Sequence, residues 1–228
     1  MKCDNGNPKT MKTNCSLLVA FAIGVSMISV RATPITSLFN TGVDSSGAVL
    51  PDGTVSDPHY RIVYSPSGSA NIRVRSSAGG WAPSPFTGDD DSSRWIGPNT
   101  RSFWEGEEGL WIYRTTFYLT DGPPSAASIV GRIGVNPELE DIQLNGHSLD
   151  ISVEFGNQAF ESWQPFTINR HFVSGENTLD FLVENGGGPT SFRVEMIGTV
   201  DVPDTVSTAA LILVGTVGLG VLRRSWRV

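Results

Sequence analysis

Tryptophan, carboxylate and histidine side chains are the groups in this sequence whose types and spacing could do chemistry. Five tryptophans, Trp81, Trp95, Trp104, Trp111 and Trp163, fall in the body of the chain. Trp81 and Trp104 sit in segments containing Gly and Pro rather than in clear strands, which makes them the candidate contacts to the apolar face of a sugar ring. Trp95, beside Ile96, and Trp111, at the head of an alternating run, read as core residues. Carboxylates gather at Asp89, Asp90 and Asp91 and again at Glu105, Glu107 and Glu108. Hard carboxylate oxygens suit calcium, so the aspartate triplet is the weak metal candidate, with Asp44 beside it; no other cofactor is implied. Glycoside hydrolysis needs two carboxyls set across one bond, and neighbours in a single loop do not by themselves provide that pair. His59, His147 and His171 stand far apart in sequence and read as surface or strand-edge residues. Neither a Gly-x-Ser-x-Gly elbow, nor a His-Glu-x-x-His pair, nor a phosphate-cradling glycine loop occurs.

The elements that must position these residues are strands. Between residues 35 and 200 there is no sustained helical period; short alternating or β-branched runs are separated by Gly, Pro, Asn, Asp and Ser clusters. Strands are predicted over 59–64, 71–75, 94–96, 111–119, 127–135, 141–144, 166–172, 178–183 and 191–200, with long surface loops at 44–58 and 79–93. Alternation is clearest in Thr178-Leu179-Asp180-Phe181-Leu182-Val183 and Phe192-Arg193-Val194-Glu195-Met196, each with one apolar and one polar face. Asn145-Gly146 is a two-residue hairpin turn, because both residues tolerate positive φ. The expectation is all-β: a two-layer antiparallel β-sandwich over 33–201.

Charge narrows the partners. Residues 33–201 hold 21 carboxylates against nine arginines and no lysine. Such a surface repels phosphate backbones, so no nucleic acid partner is expected. The first segment, 1–32, reads as a signal peptide: Lys9 and Lys12, an uncharged apolar run over 16–30, and Val30-Arg31-Ala32 ahead of a cleavage point. Met11 is an alternative start to Met1. Both cysteines, Cys3 and Cys15, lie in that segment, leaving the rest of the chain without a thiol. At the other end, 202–228 carries Val202-Pro203-Asp204, an apolar stretch and Arg223-Arg224. A helix over 205–222 would be about 27 Å long, just short of the hydrocarbon thickness of a bilayer. Terminal arginines would stay cytoplasmic, leaving the body of the protein outside.

Two resemblances follow from these residues. Val202, Pro203 and Asp204, the apolar span, and Arg223 and Arg224 resemble the sorting signal of PEP-CTERM proteins in its Val-Pro-Asp variant, although Thr205-Val206 stands where that variant continues Ser-Gly. That resemblance implies an exosortase-type membrane peptidase as partner, membrane attachment through the C-terminal transmembrane helix before processing, and delivery to the surface or exopolysaccharide matrix of a Gram-negative-type bacterium. Tyr113-Arg114-Thr115-Thr116-Phe117, Leu144-Asn145-Gly146 and Gly175-Glu176-Asn177-Thr178-Leu179 resemble the galactose-binding-like jelly roll, as in sugar-binding domains appended to glycosidases. The two together imply a non-catalytic surface protein in contact with carbohydrate, with polysaccharide as ligand. A purely structural matrix protein and a glycoside-active enzyme remain the alternatives. Sorting of this kind removes the tail after about Asp204. Intact-mass measurement of protein recovered from its native host checks that outcome, and a dominant species still ending in Val228 leaves a simple tail anchor.

Overall fold

The computed structural model describes residues 30–76, 87–88, 90–99, 107–154, 156 and 159–203, all within Ser29–Thr205. Its strands in chain order are β1 (Val30–Pro34), β2 (Tyr60–Tyr64), β3 (Ile72–Arg75), β4 (Trp95–Pro98), β5 (Gly109–Leu119), β6 (Ala127–Asn136), β7 (Glu138–Leu144), β8 (His147–Ser148), β9 (Gln164–Ile168), β10 (Gly175–Asn185) and β11 (Ser191–Pro203). Among the described residues the only helical piece is a single 3-10 turn at Pro124–Ala126, and no helix is long and apolar enough to cross a membrane.

The strands form two antiparallel sheets, one ordered β3-β4-β11-β6-β9 with β1 added alongside β11, the other β2-β5-β10-β7-β8. Period-two alternation decides which side chains face inward. In β5, Trp111, Tyr113, Thr115, Phe117 and Leu119 are buried while Ile112, Arg114, Thr116 and Tyr118 point outward. In β11, Phe192, Val194 and Met196 join the core. The sheets close on each other through aromatic rings: Phe192 of the first sheet lies 4.5 Å from Tyr113, 5.2 Å from Phe181 and 5.8 Å from Tyr60 of the second, measured between centroids. Burying each such ring contributes about 2–3 kcal/mol of transfer free energy.

The predicted hairpin forms at Asn145 and Gly146, whose φ angles of 54° and 77° join β7 to β8. The same asparagine ties that turn to the loop before β10. Its Nδ2 donates to Asn177 Oδ1 and to the His171 carbonyl, both at 2.9 Å, and its Oδ1 accepts from the Thr178 N–H at 2.9 Å. Asn177 is fully buried with both amide ends engaged: Nδ2 donates to the carbonyls of Val173 and Gly175, and Oδ1 accepts from the Val173 N–H.

Three elements differ from the sequence reading, the shortest being the unpredicted β8, which the Asn145–Gly146 turn brings back onto β7. The strand expected over 166–172 stops at Ile168, because His171 takes a φ of 67°, a left-handed conformation that ends the extended run. Strand β1 was not expected at all. It pairs with the end of β11 in the register Val30↔Pro203, Arg31↔Val202 and Ala32↔Asp201, so the ladder runs across the expected boundaries at 32/33 and 201/202. Replacing the buried Asn177 by Ala leaves four polar groups without their partner, and urea unfolding of the Asn177→Ala chain is expected to show a loss of about 3 kcal/mol. A loss below about 1 kcal/mol contradicts the bridging role.

Candidate functional site

Strands β11, β6 and β9 place three rows of side chains on the outer face of the first sheet: Thr199–Ser128, Ile197–Val130–Thr167 and Glu195–Arg132–Pro165. Successive rows on one face lie about 7 Å apart along the strands. The middle row is apolar and open to solvent, with Ile197 73% and Val130 53% exposed. The row beside it carries hydroxyls, Ser128 Oγ and Thr199 Oγ1 standing 3.3 Å apart.

Trp163, the residue before β9, completes this face. Its half-buried indole packs against two guanidinium groups, Arg132 Cζ at 4.4 Å and Arg193 Cζ at 4.8 Å from the ring centroid. Planar guanidinium on an indole is favourable both as a cation–π contact and as stacking. Both arginines are held by shared carboxylates. Arg193 Nη2 lies 2.7 Å from Asp90 Oδ1 and 3.4 Å from Glu195 Oε1, and Arg132 Nη2 lies 2.6 Å from Glu195 Oε2 and 3.8 Å from Asp90 Oδ2.

Arg193 is fully buried although it points away from the inter-sheet core. A buried cation is tolerated only when its donors are met. Its Nε donates to Ser93 Oγ at 2.6 Å and its Nη1 to the Gly88 carbonyl at 2.7 Å, while Ser93 Oγ donates on to Glu195 Oε1 at 2.8 Å. The partners therefore come from the segment ahead of β4, which folds over the sheet. Trp95 anchors that segment: its indole N–H donates to the Thr87 carbonyl at 3.0 Å. Gly134 leaves room for the ring, since a Cβ there would stand 2.9 Å from Trp95 Cη2. Burial pulls the Asp90 carboxyl upward, but the Ser92 N–H and the Arg193 guanidinium outweigh it and hold the group below its ordinary value.

The residues singled out from sequence are dispersed. Trp81, Trp104, Asp89, Glu105, Asp204, Arg223 and Arg224 lie outside the described residues. Of the aspartate triplet, Asp90 serves Arg193 and caps the turn by accepting from the Ser92 and Ser93 N–H groups, while Asp91 is exposed. Glu107 contributes its carbonyl, which accepts from Trp111 Nε1 and Asn185 Nδ2. Val202 and Pro203 form the end of β11. Trp111 lies in the core as expected. Trp95 is fully buried, as expected, but beneath the covering segment rather than in the cluster between the sheets, because its neighbour Ile96 takes the inward position opposite Phe192. His147 and His171, remote in sequence, stack at 4.7 Å, and His59 stacks on Phe39 at 3.7 Å. Neither Trp163 nor Arg193 was singled out from sequence. The available signal was an arginine at an outward position of an otherwise core-facing strand.

These features define the chain's described part as an antiparallel two-sheet β-protein with an aromatic–arginine platform on one outer face. No family model matches the sequence, and no curated protein is a significant match to it. Among solved structures, it is similar to a family 35 carbohydrate binding module from Clostridium thermocellum, at 12% identity and a TM-score of 0.34, covering 74% of this chain and 98% of that one. A CBM35 from Paenibacillus barcinonensis is similar at 14% identity and a TM-score of 0.37, covering 62% and 94%. A family 35 module from an environmental isolate is similar at 13% identity and 0.32, covering 47% and 81%. At these TM-scores the likeness carries no weight for ligand or activity, and the architecture rests on the strand pairing itself.

Because the folded-state pKa of Asp90 is depressed, its stabilisation is complete above the unfolded value of 3.8 and is lost as pH falls through the folded value. Asp90→Asn is therefore expected to destabilise the protein at pH 7 and to matter less at pH 3, as read by urea midpoints at the two values. Arg193→Met should cost about 3 kcal/mol at pH 7, since it leaves two carboxylates without their buried cation; an unchanged midpoint contradicts the anchoring role.

Proposed function

We propose that this chain is an exported, non-catalytic surface protein whose galactose-binding-like jelly-roll body contacts carbohydrate. The observation that carries the reading is the half-buried Trp163, stacked with Arg132 and Arg193 and continued by exposed Val130 and Ile197 on the same sheet face. Sugar rings present C–H groups on one side and hydroxyls around the rim. An indole and two aliphatic side chains suit the first, and the hydroxyls of Ser128, Thr167 and Thr199 suit the second.

A binding role fits the carboxylates of this face better than hydrolysis does. A glycosidase acid must be protonated near neutral pH, which requires a raised pKa. Asp90 is shifted the other way, and Glu195 is engaged by both arginines. Export rests on the leader over 1–32. Sorting by an exosortase-type peptidase rests on Val202, Pro203 and Asp204 with Arg223 and Arg224, and the intact mass of the mature protein tests it.

Trp163→Ala is the direct test of the carbohydrate reading. It is expected to weaken retention on a polysaccharide in affinity electrophoresis by about tenfold while leaving the far-ultraviolet spectrum unchanged, because an indole centred in a contact patch carries a large share of its binding energy. Equal retention of the Trp163→Ala and unaltered chains on every polysaccharide retained refutes this placement of the site.

A further inference from the structure

Resting on the carbohydrate-contact reading, we infer that the platform's ligand is an uncharged polysaccharide lying along the strand direction, across the Thr199–Ser128, Ile197–Val130 and Glu195–Arg132 rows to Trp163. Charge closure selects the class. The two arginines that stack on Trp163 are matched by two carboxylates, with Arg193–Asp90 at 2.7 Å and Arg132–Glu195 at 2.6 Å. An anionic sugar, a uronate or a sulfate ester, would have to take a guanidinium away from a partner it already holds, leaving a carboxylate stranded beside the incoming anion. The wider field opposes it too, since residues 33–201 carry 21 carboxylates against nine arginines.

The direction of the ligand follows from the register. Along β11 and β6 the outward positions change from hydroxyl (Thr199, Ser128) to aliphatic (Ile197, Val130) to ionised (Glu195, Arg132) over about 14 Å, two row spacings, and the indole of Trp163, which precedes Gln164 of β9, lies beyond that last row against Arg132. Polar, apolar and polar-aromatic contacts thus succeed one another along the strands. Across the strands, the middle row presents Ile197, Val130 and the single hydroxyl of Thr167. A glycan lying along the strands meets stacking and hydrogen-bonding groups in turn. The exposure of Ile197 fits such use, for an aliphatic side chain 73% exposed beside another 53% exposed leaves contiguous apolar area in water.

The experiment compares the whole chain with Ile197→Asp and Trp163→Ala on a neutral β-glucan, a neutral galactomannan and the anionic polygalacturonate, at about 50 mM and about 500 mM NaCl. The inference expects retention on a neutral polymer that is the same at both salt concentrations and falls about tenfold in each variant. Ile197 stands outside the core, so Ile197→Asp keeps the fold, and an unchanged melting temperature verifies that. Retention confined to polygalacturonate and lost in Trp163→Ala overturns the neutral class while keeping the carbohydrate reading. Neutral retention lost in Trp163→Ala but untouched by Ile197→Asp overturns the strand-wise path. No retention on any of the three overturns both readings. A sedimentation coefficient showing dimers that Ile197→Asp dissolves assigns this face to self-association and overturns the inference.

Discussion

One buried cation, Arg193, organises the outer face of the first sheet. Arg193 stands at an outward position of β11, where alternation with Phe192 and Val194 places it, yet no part of it reaches solvent. Burial of a guanidinium without partners would cost far more than the few kcal/mol by which a domain is stable. The segment ahead of β4 must therefore come down over the sheet and bring Ser93, Asp90 and the Gly88 carbonyl with it. Once that segment is seated, Trp95 is covered, Glu195 is drawn between two arginines, and Trp163 finds a flat cationic surface to lie on.

The opposite end is organised by amides rather than charge. Asn145, in the β7–β8 turn, and Asn177, at the entry to β10, are short side chains that satisfy backbone groups between His171 and Thr178, and they bond to each other. A charged pair in the same place would face a desolvation penalty that the neutral amides avoid. Between the two ends the sheets meet through Phe192, Tyr113, Phe181 and Tyr60, so the core is largely aromatic where the sheets are closest.

Division of labour between faces follows from the same geometry. On the second sheet several outward positions pair with one another: Arg114 and Asp180 form a bidentate pair with both contacts at 2.6 Å, and Tyr118 donates to Glu176 at 2.6 Å. On the first sheet the charges are also closed, but the adjoining row of Ile197 and Val130 is left open. A closed charge network beside an open apolar strip gives a surface suited to contacts by shape and stacking rather than by long-range field.

Local pattern alone determined nine of the eleven described strands, their inward faces and the Asn145–Gly146 turn, because period-two alternation and positive-φ tolerance are properties of neighbouring residues. The second sequence motif, Gly175 to Leu179, likewise marked the entry to β10, and Asn177 within it proved to be the buried bridge. The face carrying Trp163 was not legible in this way. Arg193 and Ser93 are 100 positions apart, and Trp163 meets Arg132 and Arg193 only because β9 pairs with β6 and β6 with β11. Strand β1 was hidden for the same reason, its partners lying some 170 residues away at the end of β11. Its first residue also closes the apolar run over 16–30. Alternation states which side of a sheet a residue faces; strand order and the segment folded over the sheet decide what it meets there, and those are set by the non-local energetics of burying Arg193 and the aromatic core.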